Sequence, residues 1–166
     1  MPEKLTMIGA GLAGPLMASY LSERGYSVDI FERRLDMRCV NQSAGRSINL
    51  ALSKRGIEAL KGIGVYKLIK PMMLPMVGRM IHDNDGNTHL QKYGQKKSEV
   101  IYSISRAFLN KTIMDYAESK NNVKIIFEHP LIGVDLNQNK LIFKDKIKQF
   151  ERLFGSDGSS SKIRDS

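Results

Sequence analysis

The first thirty residues alternate between apolar strand patterns and helical spacing. "KLTMIGAG" (4–11) is a short apolar run that ends in glycines, which is typical of a buried strand and a turn. "LAGPLMASYLSERG" (12–25) has apolar residues at helical spacing and ends on a glycine suited to close a helix. "YSVDIFE" (26–32) is rich in β-formers. The pattern predicts a βαβ unit over residues 5–32 with two parallel strands.

The rest of the chain predicts a mixed α/β fold, in which antiparallel hairpins are inserted into a parallel frame. Residues 33–53 are polar and irregular and predict a long loop, and residues 75–94 predict two strands around the Asp85–Gly86 turn. Further helices are predicted at 54–64 and 106–119, and further strands at 100–105, 122–129, 130–136, 140–144 and 151–155.

A glycine fingerprint lies inside the predicted βαβ unit. Gly9, Gly11 and Gly14 form the pattern G-x-G-x-x-G between the first strand and the first helix. In such a turn the first glycine allows the tight bend, the second lets a pyrophosphate approach the backbone, and the third lets the helix pack on the sheet. The free N–H groups of the helix N-terminus then face the anion.

An acidic residue follows at the distance that a dinucleotide site requires. Glu32 ends the second predicted strand, about 20 residues after the glycines. Its carboxylate can accept hydrogen bonds from a ribose diol but would repel a 2′-phosphate, so the pattern favours FAD or NAD over NADP in this site. The irregular loop and hairpin that follow residues 32–34 favour a flavin over a simple NAD dehydrogenase.

Composition and charge reduce the number of functional classes to which the chain could belong. The chain has 166 residues and a net charge of +9, but its lysines are scattered and do not form a basic run with interleaved aromatics, so no nucleic-acid partner is expected. No apolar run is long enough to span a membrane. The single cysteine, Cys39, allows no internal disulfide and suits a cytoplasmic location, and the histidines show no metal-ligand spacing.

Several motifs together resemble the FAD-dependent aromatic hydroxylases, and among these the enzymes that act on L-kynurenine. The resemblance rests on "GAGLAG", "FERR", "GRSINLALSKRG", "RMIH", "YSISRAFLN" and "GSDGSSSKIR". It implies a Rossmann-like FAD-binding domain of the glutathione-reductase type. It also implies hydroxylation of L-kynurenine to 3-hydroxykynurenine with NADPH and O2, chemistry that the flavin carries. No catalytic protein residue and no metal are therefore expected.

The resemblance also implies roles for individual residues around the cofactor. Besides the three glycines, Ala13 would lie against the diphosphate, Glu32 would bind the adenosine ribose, and Arg34 would lie near the adenine end. Arg33 would also bind the cofactor. Asp157, in the "GSDG" turn, would contact FAD and the NADPH path. Four more positions would lie near the cofactor: Arg46, Ala51, Arg106 and Leu131.

Two residues are implied in substrate binding. Arg79 would bind the kynurenine carboxylate through its planar guanidinium, and Tyr93 would donate a hydrogen bond to the same group. Both reach one pocket if residues 76–82 and 89–94 are hairpin partners. Without the family match, the ordinary interpretations are a surface charge for Arg79 and a half-buried strand aromatic for Tyr93.

The chain is expected to cover only part of the length that is typical of this family. The expectation is one FAD-binding domain over residues 1–166, with inserted substrate-side strands at about 76–104, and the remainder of the family's length missing. Such a chain alone is expected to be inactive. Its oligomeric state is open, and no membrane association is expected of it. Two alternatives stay open: another flavin-dependent hydroxylase or oxidoreductase, and a non-catalytic dinucleotide-binding module.

Overall fold

The chain divides into two compact units. The structure is a computed structural model that describes residues 3–39, 48–96 and 98–166. The first unit comprises Met1–Gly45 and Asn110–Ser166, and the second comprises Arg46–Leu109. In sequence, the second unit is therefore inserted between the two parts of the first.

The described residues form twelve strands, four α-helices and one 3-10 helix. The strands are β1 (Lys4–Ile8), β2 (Ser27–Phe31), β3 (Asn49–Leu52), β4 (Leu74–Met76), β5 (Gly78–His82), β6 (Thr88–Lys92), β7 (Ile101–Ser105), β8 (Val123–Ile126), β9 (Leu131–Asp135), β10 (Lys140–Phe143), β11 (Ile147–Gln149) and β12 (Arg152–Gly155). The helices are α1 (Ala13–Ser22), α2 (Lys54–Gly62), α3 (Tyr66–Ile69), the 3-10 helix Lys70–Met72 and α4 (Arg106–Glu118).

A parallel sheet of four strands forms the centre of the first unit. Its order is β12-β1-β2-β8, and all three neighbouring pairs are parallel. Parallel neighbours need a crossover, which α1 supplies between β1 and β2. The expected βαβ unit is present, and the α/β fold class with a Rossmann-like core is confirmed.

Both faces of this sheet are covered. On one face, Ala18 of α1 and Met114 and Ala117 of α4 pack against alternate residues of β1 and β2, among them Leu5 and Val28. On the other face, Leu141 and Phe143 of the antiparallel sheet β9–β10–β11 pack against Ile8 and Phe31. Cover on both faces explains why successive residues are buried in β1, from Leu5 to Ile8, and at the end of β2.

The second unit is mainly antiparallel. β3, β7 and β4 form one sheet, with β7 in the centre, and β5 and β6 form a separate hairpin. Apolar residues of α2, α3 and their connection are buried, as is Ile104 of β7. The hairpin turns at Gly86, whose φ of 83° suits glycine.

The prediction of one irregular loop over residues 33–53 was wrong at its end. Residues 49–52 form β3, which pairs with β7 from Asn49↔Ser105 to Leu52↔Tyr102. The sequence pattern does not predict this strand, because its neighbours are polar and its pairing partner lies about fifty residues away. Residues 40–47 of the predicted loop lie outside the described residues.

Candidate functional site

The glycine turn follows β1 at the carboxyl end of the parallel sheet. Gly9 has a φ of 99°, and a Cβ there would lie 2.5 Å from the Ser156 carbonyl oxygen. A Cβ on Gly14 would collide with the Gly9 carbonyl oxygen. The fold itself therefore requires these two glycines, the first for conformation and both for close packing.

Gly11 differs from the other two glycines. A Cβ built there would meet no atom of the described residues within 4 Å, and Gly11 has no positive φ. Packing within the chain therefore gives no reason for glycine at this position. Open space over a turn backbone that already begins a helix is what the close approach of a phosphate requires.

The segment after β12 is fastened to the same turn. The Ser156 hydroxyl donates to the carbonyl oxygens of Ile8 at 2.9 Å and Gly9 at 2.8 Å, and the Ser156 N–H donates to Ile8 at 2.8 Å. Asp157 follows directly, and its carboxylate accepts hydrogen bonds from the Ser161 hydroxyl at 2.7 Å and the Lys162 N–H at 2.8 Å. The "GAGLAG" and "GSDG" motifs therefore lie together, although they are about 145 residues apart.

The Glu32 carboxylate also faces the glycine turn. Its Oε2 accepts a hydrogen bond from the Ala10 N–H at 2.8 Å, and its Oε1 accepts one from the Arg34 N–H at 2.9 Å. These two bonds hold the carboxylate in place. Because each carboxylate oxygen has two lone pairs, each can still accept a second hydrogen bond.

These groups border a pocket of about 370 Å³, which is within the range of small-ligand sites. Its polar side includes Glu32 and the backbone of the glycine turn at Ala10, and its other side contains methionines and an aromatic ring that suit a flat apolar group. The lining residues are Ala10, Glu32, Arg34, Leu35, Met37, Asn110, Met114 and Phe127.

Six of these lining residues were not predicted as site residues, although the first lies within the predicted glycine turn: Ala10, Leu35, Met37, Asn110, Met114 and Phe127. The sequence offers a reason to select Asn110: it lies one helical turn after the predicted Arg106, on the same face of the helix. Its side-chain N–H donates to the Ala10 carbonyl at 3.3 Å, and its Oδ1 is buried with no hydrogen-bond partner among the described residues.

An arginine holds the pocket wall that carries Leu35 and Met37. Arg38 pairs with both oxygens of Asp36, and it reaches Asp115 at 3.0 Å and Glu118 at 2.7 Å on α4. Its guanidinium also lies 5.5 Å from the centre of the Phe127 ring. The Arg38 hydrogen bonds hold the pKa of the Asp36 carboxyl below its ordinary value, and burial opposes them.

The structure places the other predicted residues of the first unit as follows. Ala13 is exposed at the first position of α1, and Arg33 is exposed just after Glu32. Leu131 packs against the core formed by Ile8 and Phe31 and is not a lining residue of the pocket. Their contacts with a cofactor stay predictions, and Arg46 lies outside the described residues.

Four of the predicted residues that the structure describes lie in the second unit. Ala51 is in β3, opposite Ser103, and Arg106 begins α4 with its N–H bound to the Ile48 carbonyl. In the hairpin, Arg79 lies opposite Gln91 and its Nε donates to the Gln91 Oε1 at 2.7 Å. The Tyr93 N–H bonds to the Val77 carbonyl, which continues the ladder.

The hairpin register brings the two predicted substrate residues to one face. Side chains alternate along a strand, and directly opposed residues share a face. Gln91 is opposite Arg79, and Tyr93 is two positions beyond Gln91, so Arg79 and Tyr93 point to the same side of the hairpin. Both side chains are exposed.

A second cavity of about 360 Å³ lies at the opposite end of β1. It is lined by polar residues that include Lys4, Lys148 and Gln138, with Thr6 from the sheet. Ligands of open α/β sheets bind at the carboxyl ends of the strands, which favours the pocket beside the glycine turn.

The described residues hold neither a metal-binding cluster nor a membrane-spanning helix. Residues 3–39, 48–96 and 98–166 contain no group of three His, Cys, Asp or Glu side chains arranged to hold a metal ion. Within the same ranges, no helix has the length and apolar character that crossing a bilayer requires.

Comparison with known proteins agrees with the geometry. Residues 7–64 match the family model of the NAD(P)-binding Rossmann-like domain. A solved 2-methyl-3-hydroxypyridine-5-carboxylic acid oxygenase superposes with a TM-score of 0.81 at 18% identity, covering 99% of this chain and 42% of the oxygenase chain. The p-nitrophenol 4-monooxygenase of Pseudomonas putida superposes with a TM-score of 0.77 at 16% identity, covering 98% of this chain and 42% of the monooxygenase chain. At these identities the likeness shows the fold.

Sequence relatives are more specific. The kynurenine 3-monooxygenase of Legionella pneumophila (strain Corby) is 43% identical over 97% of this chain and 37% of its own length. The kynurenine 3-monooxygenase of Xanthomonas campestris (strain 8004) is also 43% identical, over 98% of this chain and 37% of its own length. The chain therefore spans a little over a third of the length of these relatives. Over nearly all of its own residues, it is homologous to the kynurenine 3-monooxygenases, with the Rossmann-like fold of a dinucleotide-binding domain.

Proposed function

We propose that the chain is the FAD-binding part of an aromatic hydroxylase that acts on L-kynurenine, with NADPH and O2 as co-substrates. The main support for the proposal is that the glycine turn, Glu32 and the pocket lie together at the carboxyl end of the parallel sheet. The homology to kynurenine 3-monooxygenases supports the choice of reaction.

The residues at the sheet edge fit the ADP half of FAD. The open space above Gly11 suits the diphosphate, and the remaining lone pairs of Glu32 suit the ribose diol. The apolar side of the pocket, with Met114 and Phe127, suits the adenine ring. The negative charge of Glu32 would repel a 2′-phosphate, which favours FAD over NADP here.

When bound, the flavin would supply the redox chemistry and the activation of oxygen. The role of this chain is then to bind and orient. In the hairpin, Arg79 and Tyr93 share a face, as needed for a guanidinium and a phenol to bind one carboxylate. Arg79 already donates to Gln91, so its remaining N–H donors are the ones left for a substrate.

The binding half of the proposal is tested by titration of the purified chain. FAD should bind, with a change in flavin absorbance and fluorescence, and should be displaced by ADP. NADP should compete poorly. If FAD does not bind, or if NAD binds far more tightly than FAD, the assignment of this site to FAD is wrong.

The catalytic half is tested in a chimera. This chain replaces the matching segment of the Legionella pneumophila relative, and NADPH oxidation and product formation are measured with L-kynurenine. The expected result is kynurenine-dependent NADPH oxidation with formation of 3-hydroxykynurenine. A chimera that binds FAD and oxidises NADPH only with a different aromatic acid would contradict the proposed substrate.

A further inference from the structure

The peptide units of the glycine turn are held by side chains from three separate segments. A peptide unit is planar and trans, so its C=O and the N–H of the next residue point in opposite directions. In the unit that joins Gly9 and Ala10, the Gly9 carbonyl accepts a bond from Ser156, and the Ala10 N–H donates to Glu32. This first peptide unit is therefore fixed on both sides.

The next peptide unit is held on one side only. The Ala10 carbonyl accepts a hydrogen bond from the Asn110 side chain at 3.3 Å. The Gly11 N–H points the opposite way and has no acceptor among the described residues. It lies at the glycine where an added Cβ would meet nothing within 4 Å. The bond from Asn110 thus sets the direction of an N–H that faces open space.

The bonding of Asn110 itself indicates a role beyond packing. Its side chain lines the pocket, its Nδ2 contacts only the Ala10 carbonyl and the Met37 sulfur (3.2 Å), and its Oδ1 is buried and unpaired among the described residues. A buried acceptor without a partner costs about 1–3 kcal/mol of stability. A leucine would avoid that cost, so packing alone does not explain an amide here.

We infer that Asn110 is a positioning residue for the diphosphate: by holding the Ala10 carbonyl, it turns the Gly11 N–H toward the anion. The inference rests on the proposed binding of a dinucleotide. It assigns to α4 a part in the phosphate site that the glycine motif alone does not reveal. Asn110 acts through the backbone, so its effect should follow the phosphates of a ligand and not its nucleoside.

The test compares ADP with adenosine by isothermal titration calorimetry on the unaltered chain and on Asn110→Leu. Affinity for ADP and FAD should fall by roughly fivefold to tenfold, the worth of about one hydrogen bond of ordinary strength, because the Gly11 N–H is turned away but not removed. Affinity for adenosine should change less than about twofold. The matched control, Asn137→Leu in the exposed turn between β9 and β10, should change neither affinity.

A second measurement follows the backbone directly. In the unaltered chain, ADP should shift the Gly11 amide signal in a ¹⁵N-resolved NMR spectrum, and adenosine should not. In Asn110→Leu, or in Asn110→Ala if the leucine does not fold, the ADP-induced shift should be smaller.

The outcomes separate the two proposals. If the unaltered chain binds FAD and ADP but Asn110→Leu loses ADP and adenosine equally, Asn110 contacts the nucleoside and the inference is wrong. It is also wrong if neither affinity changes. If the unaltered chain binds no adenine nucleotide, the proposed function itself fails, and this inference fails with it.

Discussion

At the scale of single residues, the three glycines of the turn have different reasons to be glycine. Gly9 and Gly14 face the chain's own backbone, whereas Gly11 faces open space. The sequence motif treats the three positions alike, but the structure separates the two that the fold needs from Gly11, which the packing of the described residues does not require to be glycine. The proposed function gives Gly11 its reason, the approach of a diphosphate. Substitutions should therefore separate stability from binding.

We expect Gly9→Ala and Gly11→Ala to behave differently. Gly9→Ala should destabilise the chain by more than about 1 kcal/mol, because alanine is strained at positive φ and its Cβ meets the Ser156 backbone. Gly11→Ala should change the free energy of unfolding by less than about 0.5 kcal/mol, while the Kd for FAD rises roughly tenfold or more. Urea denaturation and FAD titration measure the two effects. Equal loss of stability in both variants would contradict this division.

Glu32 provides the second prediction at this scale. Glu32→Gln keeps one oxygen but replaces the other with an N–H₂ group, which cannot accept the Ala10 or Arg34 N–H or a ribose hydroxyl. The loss of charge-assisted hydrogen bonds, worth about 1.5–3 kcal/mol, should raise the Kd for FAD roughly 10- to 150-fold. Glu151→Gln, next to the opposite end of β12, is the matched control. An unchanged Kd in Glu32→Gln would exclude Glu32 from the ligand site.

At the scale of secondary-structure elements, an ion pair joins two layers of the first unit. Asp29 in β2 is paired with Lys148 of β11 at 2.6 Å and with Lys4 of β1 at 3.0 Å, and its side chain is only 13% exposed. The Lys148 ammonium also lies 4.5 Å from the centre of the Phe31 ring. The antiparallel sheet is thereby fastened to the parallel sheet by charge as well as by apolar packing.

This ion pair predicts a pH dependence of stability. Burial alone would raise the pKa of the Asp29 carboxyl, but hydrogen bonds from Lys148 and Lys4 outweigh burial and lower that pKa. A lowered pKa in the folded state means that the stabilisation is complete above the ordinary carboxyl value and is lost as pH falls through the lowered value. The free energy of unfolding should therefore fall below about pH 4.

Asp29→Asn tests this expectation by urea denaturation at several pH values. The variant should be less stable than the unaltered chain near pH 7 by roughly 1.5–3 kcal/mol, and the difference should shrink as pH falls below about 4. Asp145→Asn, on the exposed turn before β11, should leave the pH profile unchanged. A constant difference at every pH would show that Asp29 acts through packing and not through its charge.

Elements with a strong local pattern could be predicted from the sequence, and elements defined by distant partners could not. The run from β1 to β2 and the Asp85–Gly86 hairpin carry their own periodicity and turn chemistry. β3 was missed because its stability comes from pairing with β7. Asn110 was missed for a similar reason: it meets the glycine turn only through the tertiary packing of α4.

At the scale of the whole molecule, the residues proposed to bind the ADP half of FAD and those proposed to bind the substrate lie in different units. The first unit holds the glycine turn, Glu32 and the pocket, and the second holds Arg79 and Tyr93 on the hairpin. Cofactor binding and substrate binding should therefore respond to separate substitutions.

In the chimera, Arg79→Lys should raise the KM for L-kynurenine and leave the Kd for FAD unchanged. Lysine keeps the charge but cannot form two parallel hydrogen bonds to a carboxylate, so a rise of roughly tenfold is expected. Arg55→Lys, on the exposed side of α2 in the same unit, is the control. An unchanged KM with Arg79→Lys would remove Arg79 from the proposed substrate site.

The pairing of β1 with β12 also has a consequence for synthesis of the chain. Met7 lies beside Phe154, and the Ser156 hydroxyl holds the glycine turn, so the first strand is completed by residues made about 145 positions later. During synthesis on the ribosome, the edge of β1 that pairs with β12 has no partner until the intervening segment and β12 have been made. Contacts between such distant residues form slowly, and an unpaired edge invites aggregation. Under the proposed function, we expect the nascent protein to bind a nucleotide only after β12 and Ser156 have emerged.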